Sequence, residues 1–137
     1  MMFATRACAL LFAIVVSSAV AAPQAHMVFF TLAEPIDASA DLLVEKCHEH
    51  LSDHEGVIHF SVGKIAKDLS REVNDKTFDV ALHVVFADRA AHDTYQTHPR
   101  HLLFITEAKS LWSKVRVFDS DLIEGPKETD SGKTDQP

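Results

Sequence analysis

A chain of 137 residues with an apolar content of 47% holds one packed domain and little more. Its 13 basic against 20 acidic side chains leave a net charge of −7, which excludes nucleic acid and an anionic membrane surface as partners. Only 4 glycines and 5 prolines argue against a disordered or low-complexity chain.

The first segment, residues 1–21, reads as a cleaved signal peptide. Arg6 supplies the positive charge, residues 7–16 form an apolar run too short to span a membrane, and Ala19-Val20-Ala21 has the small-x-small cleavage pattern. The expected product begins at Ala22 and is secreted or periplasmic, with no membrane partner. Cleavage removes Cys8 and leaves Cys47 alone, so no internal disulfide staples the fold and stability rests on burial. A core of this modest size gains from association.

Residues 26–34 form the first expected strand, with Val28, Phe30 and Leu32 on one face and Met27 and Phe29 on the other. Such a strand needs cover on both sides. Beyond Pro35, Asp37 or Ser39 is placed to cap a helix running to His54, with Leu43, Cys47, His50 or Leu51, and His54 along its inward stripe. Gly56 ends that helix. Residues 57–67 read as a second strand, with Ile58, Phe60 and Val62 on one face and His59, Ser61 and Gly63 on the other. A polar turn at 68–76 leads to a third strand at 77–87, whose apolar face carries Phe78, Val80, Leu82, Val84 and Phe86.

Asp88 then caps a short helix that carries Tyr95. This helix stops at His98, because Pro99 disfavours helical geometry in the residue before it and suits a first helical turn after it. The next helix runs from Pro99 to about Ser113, with an apolar stripe of His101, Phe104, Ile105, Ala108 and Trp112, and residues 114–121 form a fourth strand. Residues 125–137 lack any large apolar side chain and are expected to be a disordered polar tail, which leaves 22–124 as the domain.

The order βαββαβ, with its second helix broken in two, is that of a ferredoxin-like α+β domain: a four-stranded antiparallel sheet with helices on one face. The far face remains apolar. A second copy packing sheet to sheet covers it most economically, which predicts a homodimer.

Two groups of side chains carry chemistry. Tyr95 and His101 flank the corner at His98-Pro99 and both look inward. An inward histidine titrates near neutrality and is a candidate base; the plainer reading is a satisfied core histidine. Cys47, His50 and His54 stand at i, i+3 and i+7 on the first helix. The last two have the spacing with which a helix presents two imidazoles to one divalent transition metal, and Cys47 would add a thiolate. The plainer reading makes Cys47 a small buried apolar residue, with the histidines lining a cavity or complementing the helix dipole. No other cofactor is expected, because phosphate loop, nucleophile elbow and paired carboxylates are all missing from the sequence.

The opening His26-Met27-Val28, the Gly56-Val57 entry into the second strand, the third strand running into Asp88, and Tyr95-x-x-His98-Pro99-x-His101 before an apolar helix resemble the stress-responsive α/β barrel (Dabb) family. The resemblance covers residues 26–121. It implies a domain that pairs into a dimeric α+β barrel and binds a small, partly apolar molecule between sheet and helices. A plant member is a cofactor-free polyketide cyclase of aldol type, and by that likeness Tyr95 and His101 would be the catalytic pair, with His26 lining the pocket. The related dimeric barrel monooxygenases supply the other cofactor-independent chemistry. His101 would take a proton beside a carbonyl while Tyr95 holds the substrate oxygen. With His26, the expected ligand site comprises Val28, Phe30, Cys47, His50 and Phe104. Positions 47, 50 and 54 look mostly apolar in similar sequences, so Cys47, His50 and His54 are a departure from the pattern.

Overall fold

The structure, a computed structural model, describes residues 21–123; residues 1–20, with nearly all of the expected signal peptide, and 124–137, with the expected tail, lie outside the described residues. Four strands, β1 (Gln24–Leu32), β2 (Val57–Lys64), β3 (Val80–Phe86) and β4 (Trp112–Asp121), form one sheet in the order β2-β3-β1-β4. Every neighbouring pair is antiparallel. The helices are α1 (Asp37–Leu51), α2 (Arg89–Thr97) and α3 (Pro99–Ala108), the last followed by a 3-10 turn at Lys109–Leu111.

The alternation of β1 decides which face the helices take. Val28, Phe30 and Leu32 bury against Leu43, Cys47 and Leu51 of α1 and Phe104 and Ala108 of α3, while Val80, Leu82, Val84 and Phe86 of β3 join the same core. On α1 the buried positions Ala40, Leu43, Cys47, His50 and Leu51 recur every three or four residues, as a helix with one apolar stripe requires. Each large side chain buried this way contributes about 1.5–3 kcal/mol. The result is the expected ferredoxin-like α+β fold. Among the described residues, no helix is long and apolar enough to cross a membrane.

Local departures from the sequence reading have identifiable causes. The helix α1 ends at Leu51 rather than His54, with Asp53 in left-handed geometry at φ 55°. The His54 ring leaves the helix and its Nε2 donates to the His50 carbonyl at 2.8 Å, so an imidazole satisfies an oxygen that the next helical turn would have taken. At the other end the N-cap is Ile36, with no side-chain cap, and Asp37 lies in the first turn. In β2 the register shifts between Val57 and His59. That bulge turns Ile58 outward, 61% exposed, and puts Val57, Phe60 and Val62 against the core. Phe78 precedes β3 and turns to the opposite face, where it meets Phe29 edge to face at 5.0 Å. Trp112 already belongs to β4, because Ser113 bulges out and donates to the carbonyls of Thr31 and Leu32.

The corner between α2 and α3 forms as its sequence dictates. Asp88 accepts from the Ala91 amide at 2.8 Å, and His98 Nδ1 accepts from the Arg100 amide at 3.2 Å ahead of Pro99. Gly56 secures this corner from below. It sits at φ 79°, and a Cβ there would overlap that of Ala91, so only glycine lets the turn into β2 approach α2.

The far face of the sheet carries Met27, Phe29, His83, Arg116 and Phe118. Phe118 lies edge to face on Phe29 at 5.7 Å, with the Arg116 guanidinium 6.0 Å above the Phe29 ring, yet Phe118 remains 53% exposed.

Candidate functional site

On the helix side of β4, Val115 and Val117 point at space rather than at a helix, and stay 44% and 48% exposed. That space is a cavity of about 350 Å³, a size suited to a small organic molecule. Its walls are mostly apolar: Val28 and Phe30 from β1, Leu82 from β3, Phe104 and Ile105 from α3, and Trp112. Trp112 stacks on Phe104 at 5.7 Å and tilts over Phe30 at 5.1 Å. A few polar groups interrupt the lining, namely His26, Tyr95, Gln96, His101 and Lys109.

The two rings of the corner meet here. Tyr95 comes from the last turn of α2 and His101 from the first turns of α3, and the break at His98 folds one onto the other with ring centroids 4.6 Å apart. His101 Nδ1 donates to the Gln96 carbonyl at 3.1 Å, because a carbonyl can only accept. The neutral ring therefore keeps its lone pair on Nε2, which forms no hydrogen bond among the described residues. Burial lowers the His101 pKa from 6.5, so the lone pair is available at neutral pH.

Tyr95 is buried, and its hydroxyl has no hydrogen-bond partner among the described residues. Burial, with the Cys47 thiol nearby, raises the phenol pKa and keeps the O–H intact as a donor. An unsatisfied hydroxyl of this kind costs about 1–3 kcal/mol. Phe86 at 5.0 Å and His54 at 4.8 Å pack the Tyr95 ring from two sides. His26 enters from β1, 6.1 Å from the Tyr95 ring, with its Nδ1 bound to Asp119 Oδ1 at 2.6 Å.

Of the residues expected at a ligand site, His26, Val28, Phe30, Phe104, Tyr95 and His101 line this cavity. Cys47 and His50 do not. Cys47 is fully enclosed in the core, where burial pushes its thiol up to about 12. His50 turns to α3 and binds Glu107 at 3.0 Å. The expected metal set of Cys47, His50 and His54 is not assembled. Its thiol is protonated, one imidazole is held by Glu107, and the other has left the helix to cap His50.

Gln96, Lys109, Val115 and Val117 also line the cavity, with Leu51, Leu82, Ile105 and Trp112, and none of these was expected at the ligand site. Alternation along β4 signals the two valines. Nothing local signals Gln96, whose contribution to His101 is a backbone carbonyl. A second hollow, of about 400 Å³, lies where β1 ends, among Leu32, Ile36, Ala40, Lys64 and Asp79. Its titratable lining is Lys64, Lys67 and the carboxylates of Asp37, Asp68 and Asp79, with no imidazole or phenol among the described residues.

The sequence profile of the family described as "Stress responsive A/B Barrel Domain" (Dabb) matches residues 25–122. A ferredoxin-like protein of the Dabb family from Mesorhizobium loti is 23% identical, with a TM-score of 0.62 over 75% of this chain and 99% of that one. A hydroxynitrile lyase from Passiflora edulis is 19% identical, with a TM-score of 0.61 over 76% and 96%. A dimeric ferredoxin-like protein of unknown function from Thermobifida fusca is 11% identical, with a TM-score of 0.62 over 74% and 92%. A search of the curated proteins finds no match.

Proposed function

The chain belongs to the Dabb family, and from that premise we propose that it binds a small, partly apolar molecule in the cavity between α3 and β4. The observation that carries this reading is the pairing of a half-open, mostly apolar hollow with two polar groups that lack hydrogen-bond partners among the described residues, the buried Tyr95 hydroxyl and His101 Nε2. Core packing alone favours a filled space and satisfied hydroxyls. The ligand matched to this lining has an apolar body and at least one hydrogen-bonding oxygen. Its identity is accessible by extracting untagged protein with solvent and analysing the extract by mass spectrometry. Wild type should release a small molecule that the cavity-filling Val117→Trp does not; identical extracts from the two would contradict the reading.

A second reading is cofactor-independent catalysis, of aldol-cyclase or small-monooxygenase type. It is favoured by the tautomer of His101, which leaves an unprotonated nitrogen on a ring whose centroid lies 4.6 Å from that of a neutral phenol, and so brings together the groups that a base and a donor require. A solved structure of the same fold bears the name of a lyase, which shows that the scaffold accommodates catalysis. Exchange of the α-protons of a simple ketone in D2O tests the pair: wild type should accelerate it and His101→Ala should not, whereas equal rates count against catalysis.

We further propose that the protein is exported and works as a homodimer. Structural neighbours are described as dimeric, and the Phe29, Phe78 and Phe118 cluster leaves an apolar patch on the far face of the sheet. Sedimentation equilibrium should give twice the chain mass, and Phe118→Asp should give monomer. A monomeric wild type would remove the dimer.

A further inference from the structure

We propose that His26, His92 and Asp119 form a site for a divalent ion of the zinc class, which adjoins the same cavity through His26. The three come from three elements, β1, α2 and β4, and their ligand atoms lie within 4.8 Å of one another. His26 and Asp119 are direct partners across the β1–β4 ladder, which fixes their separation independently of side-chain choice. His92 reaches them from α2, its ring 5.6 Å from that of His26.

The spacing suits a metal. Zinc bonds of about 2.0–2.1 Å in tetrahedral geometry hold ligand atoms about 3.3 Å apart. The two separations from Asp119 Oδ1, 2.6 Å to His26 Nδ1 and 4.0 Å to His92 Nε2, bracket that value. A metal ion would replace the proton that His26 shares with Asp119, open that pair from 2.6 Å and draw His92 inward from 4.0 Å, each by about 0.7 Å, to reach the tetrahedral spacing.

The surroundings favour the same assignment. His92 Nδ1 donates to Asp93 Oδ1 at 2.9 Å, which leaves Nε2 as the unprotonated nitrogen facing the cluster. A carboxylate behind a ligating imidazole is the usual arrangement for fixing its tautomer and raising its basicity. The Gln96 amide lies 3.2 Å from this Nε2 and would yield its hydrogen bond to the ion. Among the described residues, the ion-pair partners of Asp119 are the two histidines alone. The other cluster of ligand-type atoms, Glu49, His50 and Glu107, contrasts with it, because Lys46 already sits on both carboxylates at 2.8 and 2.9 Å and supplies the cation.

Two imidazoles and one carboxylate leave a tetrahedral ion one open position, for water or for an oxygen of a molecule in the cavity that His26 lines. The site does not depend on the ligand reading, since a metal can bind an empty cavity.

The test uses untagged protein with metal alone: calorimetric titration with Zn2+, and Co2+ as a spectroscopic probe of geometry. The expected result is one equivalent per chain with tetrahedral Co2+ absorption. His92→Ala and Asp119→Asn, each confirmed as folded by thermal melting, should weaken binding by about 10–100-fold or more. His50→Gln should leave it unchanged, which separates the two clusters. No stoichiometric binding by wild type, or full binding retained in either His92→Ala or Asp119→Asn, would overturn the assignment.

Discussion

The His101 ring leans on the Tyr95 ring at 4.6 Å with their planes 46° apart, across a proline-set break between two helices. The first ring is anchored through Nδ1 to a carbonyl, whereas the second has a hydroxyl with no partner among the described residues. Replacing Tyr95 by Phe therefore removes a desolvation cost without opening a cavity. Tyr95→Phe should stabilise the protein by about 1 kcal/mol, raising Tm by about 4–8 °C for a domain of this size. A lower Tm would mean that the hydroxyl is satisfied in solution.

Acid should loosen the fold in two stages. Burial is the main cause that lowers the pKa values of His54 and His101 from 6.5, so the unfolded chain takes up these protons first. Their contribution is complete above pH 6.5 and is lost as pH falls through the folded values. Glu107, lowered from 4.5 chiefly by the hydrogen bond from Lys46, loses its contribution only at more acid pH. Melting curves should show Tm falling from pH 6.5 towards 4.5, and His54→Gln with His101→Gln should flatten that limb. An unchanged slope in the double variant would assign the acid sensitivity elsewhere.

Gly56 should resist substitution more than its place in a half-buried turn suggests. Gly56→Ala forces a left-handed backbone costing about 1–2 kcal/mol and drives the new Cβ into Ala91. The expected loss in urea unfolding is at least about 2 kcal/mol. Ala91→Gly in the same chain should recover the steric part alone, and that coupling identifies the contact. Equal losses with and without Ala91→Gly would show that backbone geometry accounts for the whole effect.

The legibility of the sequence follows the range of the forces involved. Strand alternation in β1 and the stripe of α1 are local, and the proline corner is set by two neighbouring residues, so all three can be read from the chain. The end of α1 could not be read, because it depends on an imidazole replacing a backbone donor at His50. The bulge at Ile58 depends on strand pairing, which no local pattern encodes. The meeting of His26 with Asp119 is a matter of register between residues 93 positions apart. Cys47, His50 and His54 show the converse, in that helical spacing suggested a set which the early helix end disperses.

Trp112 is the single tryptophan of the chain and lines the cavity stacked on Phe104, so its emission reports directly on occupancy. The measurement that tests ligand binding most directly is a Trp112 fluorescence titration with a homologous series of alkan-2-ones, which pair an apolar tail with one acceptor oxygen. Affinity should rise about fourfold per added methylene, from about 0.8 kcal/mol each, until the volume of about 350 Å³ is full, and then level off. Tyr95→Phe should weaken every member alike. An emission that no member of the series alters, or an affinity that climbs without levelling, would contradict a bounded binding cavity at this site.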